Sequence, residues 1–351
     1  MAASTKYFIT RVLSAVVTLA LVMLLMSTIF FAQSEAQLES RIQNQVTAEI
    51  QNNPELSQMS DEELSRWREE RISSLRSSYG LDKSMGERII NNTFDSLTLN
   101  FGRSYQMRAG GSNDVVDIIM SRLPRTILLF SSAAVVYILL GLMIGLKAAQ
   151  VAGGKLDKFL SIFGISSSSM PMWWVGMLAI LLFSYRLGLF PSSGLPFPQT
   201  TGLDYYLGVL HRMVLPLGTI VFTLFGARAW ATRNIVTDVL QDDYIMAARA
   251  KGVPERKVIY GHTLRTAAPP VVTSALLTLL MSVGGAMITE VIFNWPGMGR
   301  LLFTAIQMND VPVITGIVFV TSFMYIFGYL IADLLYGLLD PRVEMGSRGG
   351  R

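Results

Sequence analysis

Apolar runs of about 20 residues recur along this chain, each bounded by polar or charged stretches. The first, Val12–Ala32, follows Lys6 and Arg11. After a long polar interval comes Thr126–Leu146, then runs at about Phe159–Tyr185, Met213–Trp230, Ala267–Phe293 and Pro312–Leu339. A helix rises about 1.5 Å per residue, so about 20 apolar residues cross a hydrocarbon core roughly 30 Å thick. The pattern predicts an all-α polytopic membrane protein with six transmembrane helices. The third and fourth runs are the least regular, because Pro171, Pro216 and the serines Ser166–Ser169 interrupt them. Such residues are tolerated where neighbouring helices or hydroxyl groups satisfy the freed backbone. The first run is longer than a signal-peptide core, and is expected to be an uncleaved anchor.

Composition agrees. Of 351 residues 51% are hydrophobic and 15% charged, where soluble domains carry about a quarter charged. There is no cysteine, and the two histidines, His211 and His262, are far apart. A disulfide framework, a thiolate zinc site and a Cys nucleophile are excluded, and no metal or cofactor is expected on this chain.

Lys and Arg in the short loops set the orientation. With the N-terminus inside, the inner segments hold Lys6, Arg11, Lys147, Lys155, Lys158, the seven basic residues from Arg228 to Arg265, and Arg342, Arg348 and Arg351. The short outer loops hold Arg186, Arg212 and Arg300. Both termini are expected in the cytoplasm of a plasma or inner membrane. The chain then divides into a cytoplasmic end with helix 1 (1–32), an extracytoplasmic segment (33–125), a transmembrane core (126–340) with a cytoplasmic loop (241–266), and a cytoplasmic tail (341–351).

Within the outer segment, SDEELSRWREERISSLRSSYG predicts one helix. Ser60 and Glu63 form a capping box and Gly80 supplies a left-handed stop. Glu62 and Glu63 stand at helical spacing from Arg66, as on a solvated face. The segment reads either as a cap over the outer mouth or as a docking surface for an external partner.

On the inner side, DDYIMAARAKGVPERK (Asp242–Lys257) is a polar knuckle between long apolar runs. Asp242 or Asp243 can cap a helix over Tyr244–Lys251, Gly252 suits the left-handed position after it, and Pro254 with Glu255 suits the first turn of a second helix reaching about Thr266. Two helices this short need a surface to pack on. Ala247, Ala248, Ala250 and Gly252 present little side-chain bulk, so another surface can approach the backbone, ringed by Arg249, Lys251, Arg256 and Lys257. A basic loop that only fixes topology would need the charges but not this order of residues.

These residues resemble a known family. Ala247-Ala248-x-x-x-Gly252 is similar to the EAA loop of ABC importer permeases, with Met246 at the usual Glu position, and HTLRTAAPPVV (His262–Val272) resembles the sequence after it in the peptide branch. YGLD (Tyr79–Asp82), FGRSY (Phe101–Tyr105), SRLPRT (Ser121–Thr126), MPMWWVGMLAILLFSYRLGLFPSSG (Met170–Gly194), EVIFNWPGMGRLL (Glu290–Leu302) and DLLYGLLDPRV (Asp333–Val343) extend the likeness, in order, over Tyr79–Val343. The resemblance is to the B-type inner-membrane subunit of the dipeptide/oligopeptide/nickel ABC importers, with residues 35–78 as an enlarged external insert.

The resemblance implies a type I importer fold forming half of a translocation pathway. Its partners would be a homologous C-type permease, two cytoplasmic ATPases carrying ATP and Mg2+, and an external substrate-binding protein; membrane lipid surrounds it, and nucleic acid has no part. It also implies that Tyr244, Ala247, Ala248, Arg249, Ala250, Lys251, Gly252, Val253, Pro254 and Glu255 form the coupling helix seated on an ATPase. The family carries dipeptides, oligopeptides, nickel chelates and oligosaccharides, selected largely by the binding protein.

Other residues bear on the same expectation. A phosphate-binding loop needs Gly-x4-Gly-Lys-Ser/Thr; AQVAGGKL (Ala149–Leu156) has Ala149 and Leu156 at the wrong ends, so the chain is not expected to hydrolyse ATP. Glu290, at the outer end of the fifth run, reads as a residue of the outer gate or substrate path, the alternative being a purely structural hydrogen bond. Asn294, Trp295, Pro296, Gly297 and Met298 are placed beside it, with Trp295–Gly299 read as a turn near the outer surface. Asp333 is expected to pair with an Arg, Trp173 and Trp174 to lie at the interface, and Gly141-x-x-x-Gly145 to allow close helix contact. A secondary transporter or channel working without an ATPase would carry more ionisable residues within its spans. A sensor would need an output domain, and only a short tail follows the last run.

Overall fold

The computed structural model of the chain describes residues 2–192, 194 and 202–339, without side-chain detail at 2–7, 57, 283 and 333–339. The helices, in chain order, are α1 Ala2–Ile29, α2 Phe31–Asn52, α3 Asp61–Ser78, α4 Met85–Leu97, α5 Val115–Gln150, α6 Lys155–Ser169 and α7 Met172–Ala179. They continue with α8 Gly202–Leu240, α9 Asp243–Ala250, α10 Glu255–Lys257, α11 Leu264–Met281, α12 Met287–Ile292, α13 Met298–Gln307 and α14 Val311–Leu339. Two compact units result: one of residues up to 15, 120–304 and from 323 on, the other of 16–119 and 305–322.

Five helical stretches are long and apolar enough to span: Phe8–Ile29, Val115–Gln150, Gly202–Leu240, Glu255–Met281 and Val311–Ala332. The remaining apolar segment is a bent helix pair, a broken span or a re-entrant loop by length and composition. α6 and the segment Met172–Arg186 meet at a bend of 95°, where a single third span was expected. Pro171 forces the residue before it out of helical geometry, and Met170 is extended (φ −82°, ψ 130°). The interruption falls where the sequence placed it, since α6 ends at Ser169 and the bend follows before Pro171. Ser168 Oγ donates back to the Gly164 carbonyl (2.6 Å) and Ser169 Oγ to that of Ile165 (2.8 Å). Pro216 does not end α8, which runs 39 residues through it.

The fifth span also ends earlier than its apolar pattern. α11 stops at Met281, a 3-10 turn covers Ser282–Gly284, and Gly285 turns the chain at φ +67°. Glu290 therefore stands on the separate short helix α12. Hydropathy could not mark this break, because Val283, Ala286 and Met287 keep the apolar run going through the two glycines.

In the larger unit α8 is the central post. A Cβ at Gly164 of α6 would meet the Gly226 carbonyl of α8 at 2.8 Å, and one at Gly141 of α5 would meet the Arg228 stem at 2.5 Å. One at Gly145 would strike the Ala229 carbonyl. The Gly141/Gly145 face is thus a backbone-to-backbone crossing. At the start of α6 Asp157 accepts Arg233 Nε (2.8 Å) and Nη2 (2.7 Å) and the Gly153 amide (2.8 Å), joining α6 to α8.

The smaller unit contains a helical hairpin that only half matches expectation. α3 has the predicted capping box, with the Glu63 amide donating to Ser60 Oγ and the Ser60 amide to Glu63 Oε2 (3.1 Å). Gly80 follows at φ +68°, and the Leu81 amide closes on the Arg76 carbonyl (2.8 Å). But α3 is not solvated all round. Trp67, Ile72 and Leu75 pack against Leu38, Ile42, Val46 and Ile50 of α2, which stand four apart along one stripe. Arg71 grips Glu49 through two bonds of 2.8 and 2.9 Å. Elsewhere in the unit buried Asp310, just before α14, accepts Ser104 Oγ and the amides of Tyr105 and Gln106 (3.1 and 3.2 Å), which fixes the FGRSY stretch.

Two outcomes follow. Gly164→Leu is expected to destabilise the purified chain by about 1–3 kcal/mol or more through overpacking. Gly218→Ala, on the same post with nothing within 4 Å of a Cβ, is expected to be neutral or to stabilise by up to about 1 kcal/mol. Thermal midpoints in one detergent check the pair.

The second concerns acid. The Arg71 hydrogen bonds hold the Glu49 carboxyl down, from 4.5 to about 2. A depressed carboxyl contributes fully above its unfolded value and loses that contribution as pH falls toward the folded one. Hydrogen exchange in α2 and α3 should accelerate, beyond its intrinsic pH dependence, between about pH 4.5 and 2, and Glu49→Gln should reduce that acceleration.

Candidate functional site: the inner knuckle and the buried carboxylate

The knuckle forms as a bent helix pair. Asp242 takes the N-cap of α9 in extended geometry, yet its side chain makes no capping bond, contrary to expectation. The cap is closed by its carbonyl, which accepts the amides of Ile245 (2.9 Å) and Met246 (3.2 Å). At the other end Lys251 is the C-cap and Gly252 sits at φ +73°. The Gly252 amide donates to the Arg249 carbonyl (2.9 Å) and the Val253 amide to that of Ala248 (3.2 Å). A Cβ at Gly252 would meet nothing within 4 Å, so the backbone angle, not crowding, is what requires glycine.

Pro254 caps α10 rather than lying in its first turn, with its carbonyl accepting the amides of Lys257 (2.8 Å) and Val258 (3.1 Å). The second helix passes through a π-helical stretch, Val258–Thr263, into α11. Arg249 is not part of a free basic ring. It spans the corner to Glu255 (2.6 Å), which holds its guanidinium above the ordinary value and pins α9 to α10.

α9 is seated by one side chain. Ile245 is fully buried among Leu146 and Ala149 of α5, Val236 and Leu240 of α8, and Val258 and Ile259, with Val253 packed on the same cluster. Tyr244 Oη donates to Thr266 Oγ1 (2.8 Å). The other side is open: Ala247, Arg249, Ala250, Lys251, Gly252, Pro254 and Glu255 are exposed, as is Tyr244, and Ala248 is half-buried. Of the predicted coupling residues, Val253 packs on the buried anchor, Ala248 is half-buried, and the others are exposed, with the small residues Ala247, Ala250 and Gly252 among them.

The residues around Glu290 fall elsewhere. Glu290 is 0% exposed. Its Oε1 accepts Thr126 Oγ1 (2.7 Å), its Oε2 accepts the Arg300 amide (3.0 Å), and Thr126 Oγ1 in turn accepts the Met298 amide (2.7 Å). Gly285, Gly297 and Gly299 pack over the carboxylate so closely that a Cβ on any of them would press on Glu290, Thr126 or Met287. The carboxylate is therefore walled in, not open to a path.

Trp295, expected near the outer surface, is 1% exposed and belongs to the core with Leu129, Phe130, Val209 and Met213. Its Nε1 donates to the Arg125 carbonyl (3.0 Å). The expected turn is shorter than Trp295–Gly299, because Met298 and Gly299 already start α13. Pro296, Gly297 and Met298 are buried beside Glu290, whereas Asn294 is exposed at φ +50°. Trp173 and Trp174 are exposed, and the Asp333 side chain lies outside the described residues.

Several residues counted as loop charges lie inside long helices: Arg212, Arg228 and Arg233 in α8, Lys147 in α5 and Arg265 in α11. Arg228 donates through its guanidinium to Ser274 Oγ and the Val271 carbonyl of α11 (both 3.0 Å). Its place inside an otherwise apolar stretch, FGARAW, was the available signal. Among the described residues no group of His, Cys, Asp and Glu could hold a metal.

The model of the family described as binding-protein-dependent transport system inner membrane component matches residues 124–345. An oligopeptide transport system permease protein of Bacillus subtilis is 32% identical over 66% of this chain and 72% of its own length. A putative peptide transport system permease protein of Brucella abortus is 34% identical over 77% and 83%, and the di/tripeptide transport system permease DppB of Pseudomonas aeruginosa is 31% identical over 76% and 82%. Among solved structures, a chain of the inward-facing MetNI methionine ABC transporter superposes with a TM-score of 0.51 at 17% identity, over 65% of this chain and 99% of that one, a likeness of fold. The bent helix pair, the knuckle and every spanning stretch after α1, apart from the start of α5, fall inside the matched region, and the chain belongs to the family of binding-protein-dependent transport system inner membrane components, with the fold of a type I ABC importer permease.

Proposed function

We propose that this chain is the permease half of an ATP-driven importer of peptides or similar small solutes, and that α9 and the corner after it receive mechanical work from an ATPase. The observation that carries this is the knuckle itself: two short helices locked at Arg249–Glu255, anchored by Ile245, with a bare Ala247/Ala250/Gly252 surface turned outward. A rigid, small-residue face on a buried pivot suits transmission of force to α5, α8 and α11. The peptide cargo follows the named activities of the relatives.

The partners in this reading are a homologous C-type permease, two cytoplasmic ATPases that bind ATP and Mg2+, and a binding protein on the other side. The ATPase-facing loop 241–266 and both termini, including 341–351, lie in the cytoplasm. Segment 33–125 is extracytoplasmic and 126–340 forms the core. Glu290 with Trp295, Pro296, Gly297 and Met298 acts as the closed latch of the outer gate, with Asn294 exposed at its edge; the enclosed carboxylate supports a shut state.

Ala250→Trp tests the coupling. Ala250 is exposed and helical, so the fold should survive while the ATPases lose their seat. The expected result in proteoliposomes is loss of ATPase retention together with at least a tenfold fall in ATP-dependent peptide uptake. Normal assembly and uptake would sink the coupling assignment, and uptake by the chain without an ATPase, driven by an ion gradient, would favour a secondary transporter.

Thr126→Val tests the latch. It removes the partner of both Glu290 Oε1 and the Met298 amide, leaving buried polar groups at a cost of about 1–3 kcal/mol. Passive efflux of a loaded peptide without ATP is expected to rise, while Asn294→Ala leaves it unchanged. Equal efflux from all three would remove the gate role.

A further inference from the structure

The smaller unit holds a partly enclosed cavity of about 650 Å³, within the size range of sites for small organic ligands. Its floor is the joint of α1 with α2, around Phe30 and Phe31, and the first turn of α14. The inner face of α4 forms one wall, and α2 with the turn after α3 closes over it. The external hairpin therefore helps to build a chamber at the ends of two spanning helices.

The lining is cationic. Arg41, Lys83, Arg88 and Arg103 face the carboxylate of Asp95. Two of these cations are engaged: Arg88 pairs with Glu35 (3.3 Å) over the Phe31 ring, and Lys83 with Glu87 (3.7 Å). Arg41 lies over the Tyr105 ring, 5.4 Å from its centroid. Among the described residues neither Arg41 nor Arg103 has a carboxylate partner. Among the described lining residues, two cations without an ion-pair partner stand against the one carboxylate of Asp95.

A second observation names the ligand. On the face of α4 opposite the chamber, Ile90 and Phe94 are 64% and 66% exposed. A short helix that turns bulky apolar side chains outward, with cations on its other side and span ends beneath it, has the pattern of a helix lying in the membrane interface. We infer that this chamber binds the phosphate-bearing headgroup of an anionic phospholipid from the adjoining leaflet, with Arg41 and Arg103 on the phosphate and Ile90 and Phe94 among the acyl chains. The inference rests on α1 and α14 spanning the membrane, not on the coupling surface or the cargo, and its readout needs no transport.

The test is native mass spectrometry of the delipidated full chain, titrated with phosphatidylglycerol, with phosphatidylcholine, and with glycerol phosphate as the soluble headgroup. Phosphatidylglycerol is expected to bind saturably and at least tenfold more tightly than phosphatidylcholine, with glycerol phosphate unable to displace it at millimolar concentration. The double variant Arg41→Gln/Arg103→Gln is expected to lose about thirtyfold in phosphatidylglycerol affinity, roughly fivefold for each cation withdrawn from an anionic lipid surface. Phe94→Glu should weaken the lipid further without altering the helical circular dichroism. Equal binding of the two lipids by the unmodified chain overturns the proposal even if the variants misfold. An unchanged double variant overturns it as well, and displacement by glycerol phosphate or by a peptide would reassign the chamber to a soluble anion.

Discussion

Backbone meets backbone where Gly164 of α6 crosses Gly226 of α8 and where Gly145 of α5 reaches the Ala229 carbonyl. In a bilayer the lipid tails are as apolar as leucine, so burying leucine between helices yields little, and association depends on close van der Waals approach and polar ties. Glycines permit that approach, and the Asp157–Arg233 bonds lock it at the start of α6. Because α8 is the shared partner, its position fixes α5 and α6 together. The pocket that receives Ile245 is made from residues of α5 and α8, so the seat of the knuckle depends on the same crossings.

This makes the knuckle rigid for a reason separate from its own helices. Two turns of α9 are too short to persist in water. They persist because one end is capped by the Asp242 carbonyl, the other by the Gly252 turn, the corner by Arg249–Glu255, and the underside by Ile245. Ile245 lies beneath the helix, whereas Gly252, Arg249 and Glu255 share the open side with Ala247 and Ala250. A surface that presses on Ala247 and Ala250 therefore meets a helix still held from below by Ile245.

Much of this was legible in the sequence because it depends on local chemistry. Twenty-residue apolar runs located the spans, and Ser60–Glu63, Gly80 and Gly252 located helix ends through angles and caps that no distant contact alters. What failed was set by contacts across the fold. The α11 break at Gly285 is followed by a turn whose place is taken under Thr126 and Glu290. Trp295 read as interfacial because its burial depends on α5 and α8, which the local sequence does not mention. α2 was missed although Leu38, Ile42, Val46 and Ile50 keep one stripe, because its polar composition hid a period that only the matching stripe on α3 makes meaningful. The corner at Gly252, being local, was readable; the Arg249–Glu255 tie and the arrangement around Glu290 were not.

That arrangement carries its own physical argument. A carboxylate with no exposed surface is costly unless hydrogen bonds replace the water it has lost. Here the replacement comes from Thr126 on α5 and the Arg300 amide at the start of α13. Three glycines are needed because side chains at those positions would occupy the space that brings these donors within reach. The Thr126 bonds join two segments far apart in sequence, and they hold only while the α12–α13 turn stays folded against α5. Separation would leave Glu290 Oε1, the Thr126 hydroxyl and the Met298 amide without these partners together, while the Arg300 amide stays on Glu290 Oε2 within the turn. The network therefore favours a joined state and a separated, rewatered state over intermediate positions, and a contact with two such settings is suited to a gate in a way that an apolar contact, which weakens gradually, is not.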